Sequence, residues 1–196
     1  MTPLVYCYGP FSVEKNLFCK SFVSENKNYK LIELHKIRKK ITGSILPKDK
    51  DLELQVKKEI EDKCLPLINK GVPVLINGLF LNKEARLIFL ESIQKNTCNN
   101  FKKIALAFPA SNPIDSFEKS KKDKILKELS FDSIRSQVSI FNKASTNEEA
   151  DLVIDEIDID SNPLKLNTKL WGENRIISCD NFKKLAEYFR YSNSFI

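Results

Sequence analysis

The chain is 196 residues long, 42% hydrophobic and 30% charged, with a formal net charge of +6. These values fit one globular domain with a sizeable core, and no apolar run approaches the ~20 residues of a membrane-spanning helix. Five widely spaced cysteines without a CxxC pair, a single histidine, and no basic stretch ahead of the first apolar run argue against a disulfide framework, a zinc site and a secretory leader. No metal site, no membrane contact and a cytoplasmic location are therefore expected.

The charge is uneven. Residues 1–145 hold 26 Lys and Arg against 16 Asp and Glu, whereas residues 146–196 hold 6 against 10. A basic body suits an anionic partner such as a nucleotide or nucleic acid. Lysines spread over solvated faces would produce the same total.

Taken in chain order, the pattern alternates strand and helix. Leu4–Tyr8 is a continuous apolar run, as in a strand buried on both faces. Val13–Val23 has helical spacing, with Leu17, Phe18 and Phe22 on its apolar side. Tyr29–Leu34 alternates as a strand, and His35–Ile41 turns helical and basic. After a loop from Gly43 to Lys48, Asp51–Asn69 forms an amphipathic helix with Leu54, Ile60, Cys64, Leu67 and Ile68 near helical spacing, stopped by Gly71.

Val72–Asn77 reads as a strand with Pro73 at its start or at a bulge. Asn82 caps the next helix, Glu84 sits in its first turn, and Lys102–Ala110 holds a buried strand ended by Pro109. Pro113 opens a short helix, and Lys119–Lys127 leads to a helix carrying Phe131, Ile134, Val138 and Phe141. Ala150–Ile159 reads as the last strand. The remainder includes Trp171 and a short helix capped by Asp180, with Phe182, Leu185, Ala186 and Phe189 on one side. This β-α alternation specifies an α/β fold with a parallel sheet covered by helices on both faces.

Between the first strand and the first helix lies Gly9-Pro10-Phe11-Ser12-Val13-Glu14-Lys15-Asn16. A phosphate-binding loop, G-x-x-x-x-G-K-[ST], occupies this position because the free N–H groups and dipole of the helix attract phosphate. Gly9 and Lys15 fit that form, while Glu14 and Asn16 depart from it.

With the later segments "ELHKIRKKITG", "VLINGLFLNKEARLIFLESI", "IALAFPASNPIDSFEKSKKDK" and "LSFDSIRSQVSIF", residues 3–145 resemble the polynucleotide-kinase-like P-loop kinases. The resemblance implies a three-layer α/β/α kinase-like domain over 1–159. Residues 160–196 are then a C-terminal extension packing on the body or on a partner. It implies that Gly9, Ser12, Lys15 and Asn16 hold the phosphates of ATP or another nucleotide, with Lys119 and Lys122 in the lid. His35 falls at the general base and Arg38 at the basic position of the same helix. Arg86 and Arg135 also match family positions.

Several positions depart from the family. Glu14 replaces the second loop glycine and brings a negative charge beside a polyanion. Asn16 replaces the hydroxyl that binds Mg²⁺. Gly78, or Asn77 with the register slipped by one, replaces the carboxylate at the end of the third strand. Lysines replace the lid arginines and lack their bidentate fork. Phosphoryl transfer depends on positioning and electrostatic stabilisation, so these losses all weaken Mg²⁺ binding and catalysis.

The leading expectation is a catalytically degenerate kinase-like protein. It would bind a nucleotide, a nucleic-acid end or a protein through the former cleft, using the basic helix 35–40 and the segment 160–196. The alternatives are a divergent active kinase acting on a 5′-hydroxyl end or a small substrate, with Lys15 as clamp and His35 as base, and a purely structural protein.

Overall fold

The computed structural model describes residues 1–192 apart from 48, 111, 142, 144–149 and 171–172. Trp171 therefore lies outside the described residues, as does Lys48 at the end of its loop. Seven strands form one sheet: β1 (Thr2–Tyr8), β2 (Lys30–Glu33), β3 (Val74–Asn77), β4 (Phe101–Ala107), β5 (Leu152–Asp158), β6 (Leu164–Leu170) and β7 (Glu173–Cys179). Their spatial order is β2-β3-β1-β4-β5-β6-β7. The first five are mutually parallel, and β6 and β7 add an antiparallel hairpin beyond β5.

Helices α1 (Val13–Glu25), α2 (Leu34–Thr42), α3 (Lys50–Asn69), α4 (Lys83–Asn96), α5 (Pro113–Lys122), α6 (Phe131–Ile140) and α7 (Phe182–Tyr191) complete the fold. The alternation of side chains along β1 divides the core in two. Leu4, Tyr6 and Tyr8 face a layer made by α2, α3, α4 and α6. Val5 and Cys7 face Phe18, Cys19 and Phe22 of α1 together with Leu185 and Phe189 of α7. Because both faces of the central strands are covered, they read as unbroken apolar runs.

Local signals place most boundaries. Ser12, Asp49, Asn82, Asn112 and Ser130 each cap a helix by accepting from a backbone N–H of its first turn, and Gly43 ends α2 in the left-handed conformation.

Four expectations are corrected. Leu17 and Leu54 are about half exposed, because their helices are rotated so that Phe18 and Val56 take the inward positions. The cap of α7 is Asn181, whose side chain accepts from the Lys184 N–H at 3.0 Å, rather than Asp180. Nor is β5 the last strand. Leu164, Leu166 and Thr168 alternate with Lys165, Asn167 and Lys169, a period of two that marks β6.

The described residues of 160–192 thus extend the same sheet and core. Phe182 meets Phe18 edge-on at 5.6 Å, and Phe189 lies 5.6 Å from Phe22.

Candidate active site

The loop after β1 is short: four residues, Gly9–Ser12, separate Tyr8 from the first helical residue, Val13. Gly9 has φ +124°, and a Cβ there would lie 2.4 Å from the Phe108 carbonyl oxygen, so only glycine fits between β1 and the end of β4. Its N–H donates to the Leu79 carbonyl at 2.8 Å. Phe11 is buried, and its N–H donates to Gln137 Oε1 on α6 at 2.9 Å. Ser12 Oγ accepts from the Lys15 N–H at 3.1 Å. The N–H groups of residues 9, 11 and 15 are therefore spent on the protein itself, where a phosphate loop would turn several toward its ligand.

Lys15 is only 1% exposed. Its ammonium donates to the carbonyls of Gly9 and Gly78, both at 2.7 Å, and ties the loop to the end of β3. Burial pulls its pKa from 10.5 to about 8, an effect the nearby Cys19 and Cys7 thiols oppose.

Asn16, next along α1, is also buried. Its Oδ1 accepts from Asn77 Nδ2 at 2.8 Å, and its own amide nitrogen has no partner. Asn16 and Asn77 do not fit Mg²⁺: they offer neither carboxylate nor hydroxyl, only neutral amide oxygens, and that of Asn16 already takes a hydrogen bond. Among the described residues, no group of three or more His, Cys, Asp or Glu side chains could hold a metal ion.

The end of β3 is closed by aromatic packing. Gly78 donates to the Cys7 carbonyl at 3.0 Å, and a Cβ on it would lie 2.3 Å from the Phe80 ring. Phe80 has φ +42°, an unfavourable value for a bulky side chain. It is held there by Phe89 at 5.0 Å, by Tyr6 at 6.3 Å, and by Arg86 Nη1 donating to its carbonyl at 2.9 Å. Arg86 is fully buried, with its guanidinium 4.8 Å from the Tyr8 ring centre. It supports this loop and does not reach into the cleft. Arg135, by contrast, is an exposed residue of α6.

His35 opens α2 and is 3% exposed, with Nε2 buried and without a hydrogen-bond partner. Glu33 Oε1 lies 3.7 Å away. Burial lowers the imidazole pKa below 6.5; Glu33 opposes this, and Lys36, Lys15 and Lys20 reinforce it.

Arg38 makes a bidentate pair with Glu53 of α3, Nε to Oε1 and Nη2 to Oε2 both at 2.8 Å, and donates to the Ile45 carbonyl at 3.3 Å. Lys36 pairs with Glu33, and Lys39 pairs with Glu128 at 2.9 Å. Most of the positive charge on helix 35–40 is thus matched by carboxylates.

On α5, Lys119 pairs with Glu14, so the unexpected loop acid points toward that helix. Lys122 is exposed and forms no ion pair among the described residues. Lys121 donates to the Lys127 and Leu129 carbonyls at 3.2 and 3.1 Å, over the Phe117 ring.

The cleft retains two cavities. The one in front of Ser12 measures about 190 Å³ and carries the carboxylates of Glu14, Asp115 and Glu156 against Lys119. The other, between α2, α3 and α4, measures about 320 Å³ and is walled mainly by Leu34, Val56, Ile60, Leu79, Ile88 and Phe89, with the Arg38–Glu53 pair beside them.

Gly9, Ser12, Lys15 and Asn16 therefore come together with Asn77 and Gly78, and Lys119 joins them through Glu14. Arg38 lies instead, with Glu53, on the wall of the larger cavity, and Lys122 lines neither. Sequence reasoning missed Glu33, Glu53, Phe80 and Gln137; only Glu33, two residues before the single histidine, carried any signal.

Solved structures share this fold. A sugar kinase from Janibacter sp. HTCC2649 superposes with a TM-score of 0.55 and 14% identity, covering 79% of this chain and 86% of its own. The fold is that of the P-loop kinases. A gluconokinase from Sinorhizobium meliloti 1021 gives 0.50 and 14%, covering 78% and 82%. Kti12 from Chaetomium thermophilum, in complex with ADP-AlF3, gives 0.55 and 11%, covering 74% and 82%. No protein-family model matches the chain, and no curated protein matches it in sequence. Among the described residues, no helix is long and apolar enough to cross a membrane.

Proposed function

We propose that this chain is a kinase-fold protein that has given up phosphoryl transfer and acts by binding through the former cleft. The observation that carries this reading is Lys15, whose ammonium is buried between the Gly9 and Gly78 carbonyls. A phosphate clamp must present its lysine to the β- and γ-phosphates, and here that charge is spent on the fold.

The surroundings support the same reading. The concavity in front of α1 holds three carboxylates and one lysine, an unfavourable field for a triphosphate. No carboxylate stands at the end of β3, and the residues at the Mg²⁺ position do not suit the ion. The larger volume left is the cavity between α2, α3 and α4, whose mainly apolar wall and about 320 Å³ suit a small, largely apolar molecule. A nucleotide bound in this cleft is held without Mg²⁺ and without the clamp.

Two measurements test the proposal together: thermal stabilisation by ATP and ADP with and without Mg²⁺, and transfer of labelled γ-phosphate to a 5′-hydroxyl oligonucleotide. Neither Mg²⁺-dependent stabilisation nor transfer is expected. Transfer abolished by Lys15→Ala would establish the alternative, a divergent active kinase.

A further inference from the structure

The opposite end of the sheet, where the parallel strands begin, carries a second feature. Between α7 and the turn joining α1 to β2 lies a cavity of about 300 Å³, lined by Asn26, Asn28, Tyr29, Lys183, Glu187 and Arg190. A neighbouring concavity of about 560 Å³ lies beside the starts of β1 and β3 and shares Arg190 and Tyr191 with the first. No carboxylate side chain lines this second space. In the first, Glu187 already accepts from Lys184 at 3.0 Å.

The charges here differ from those on α2. Lys183 and Arg190 lie on one face of α7, seven residues apart, and neither has an ion-pair partner among the described residues. The same holds for Lys27, Lys30 and Lys70, which adjoin the lining residues Asn28, Tyr29 and Gly71 in the chain. Tyr29 lies on the cavity wall, and its buried hydroxyl has no partner in the protein. Tyr191, next to Arg190, is 49% exposed. Unpaired cations beside an exposed aromatic ring are the elements that hold a single strand, with phosphates on the cations and a base on the ring. Two adjoining concavities suit a chain of nucleotides better than one small anion.

We propose that this groove, centred on Arg190, Lys183 and Tyr191, binds single-stranded nucleic acid, independently of the former kinase cleft. Unpaired cations of α7 and of the α1–β2 turn are then used at the end of the sheet where the parallel strands begin, while α2 spends most of its charge on ion pairs.

Fluorescence anisotropy with labelled fifteen-nucleotide dT and U strands, read from 50 to 200 mM salt, tests this. Salt-sensitive binding is expected. Lys183→Glu with Arg190→Glu should raise Kd at least tenfold and reduce the slope of log K against log salt by about 1.4, the loss of two phosphate contacts at ~0.7 each. Tyr191→Ala should weaken binding about tenfold through lost stacking. Lys36→Glu with Lys40→Glu on α2 should leave Kd unchanged. These are exposed positions, so thermal melts should confirm that each variant stays folded.

Absence of binding would overturn the proposal, as would loss in the α2 variant with retention in the α7 variant. Full displacement by millimolar inorganic phosphate would also overturn it and assign the groove to free phosphate.

Discussion

The Lys15 ammonium lies 2.7 Å from the carbonyl oxygen of Gly78, and this contact joins the loop after β1 to the end of β3. In a working phosphate clamp these two places face the nucleotide and the acceptor from opposite sides of the cleft. Here one buried lysine links them and also holds the Gly9 carbonyl.

Lys15→Met should therefore destabilise the fold without changing any response to ATP. It leaves two carbonyls without their donor, at about 1–3 kcal/mol for each buried unpaired group, a loss readable by urea denaturation. The pH dependence has a definite sign. The folded-state pKa is about 8 against 10.5 for the free side chain. Between those values the unfolded chain binds more protons, and stability from this group rises with pH. The advantage of the natural chain over Lys15→Met should accordingly widen from pH 8 to pH 10.

The single histidine permits a direct check on α2. One imidazole resonance in a proton NMR titration should report a pKa below 6.5, since burial of His35 disfavours the charged ring. The unfolded chain then binds the extra proton first, so stability from His35 is present above about pH 6.5 and falls as the pH drops through that value. His35→Phe should flatten this part of the stability profile. An upward shift would indicate that Glu33 outweighs burial.

Gly78→Asp, which replaces the missing carboxylate, should fail to restore chemistry and should cost stability. The new Cβ would collide with the Phe80 ring, which Tyr6 and Phe89 hold from the other side. Overpacking of this kind costs about 1–3 kcal/mol. Adding Phe80→Ala should remove the collision, so the double variant should lose less stability than the two single losses summed; thermal melts of all three would show it.

Glu14→Gly with Asn16→Ser, which rewrites the loop toward a phosphate-binding form, should give no Mg²⁺-dependent stabilisation by ATP in a thermal-shift titration. Lys15 remains tied to its two carbonyls, and Lys119 loses its partner. Removing the Asn16 oxygen also leaves the Asn77 amide unpaired, at a cost of about 1–3 kcal/mol.

The sequence by itself determined the alternation of strands and helices through β5, the Asn82 cap and the place of the loop at Gly9–Asn16. These follow from short-range chemistry: apolar runs, helical spacing, and side chains such as Asn82 that satisfy the first turn of their own helix. Strand β6 is also legible, in the alternation of Leu164 and Leu166 with Lys165 and Asn167.

Only the tertiary structure decided what the functional side chains meet. Lys15 finds Gly78 sixty-three residues away, Arg38 finds Glu53 across two helices, and Phe80 folds back on Gly78 through a backbone angle that its own residue type disfavours. Each contact joins segments distant in the chain or depends on packing from several elements at once. A local pattern can place a lysine at a clamp position, but the direction of its charge depends on which acceptors the assembled sheet brings within reach.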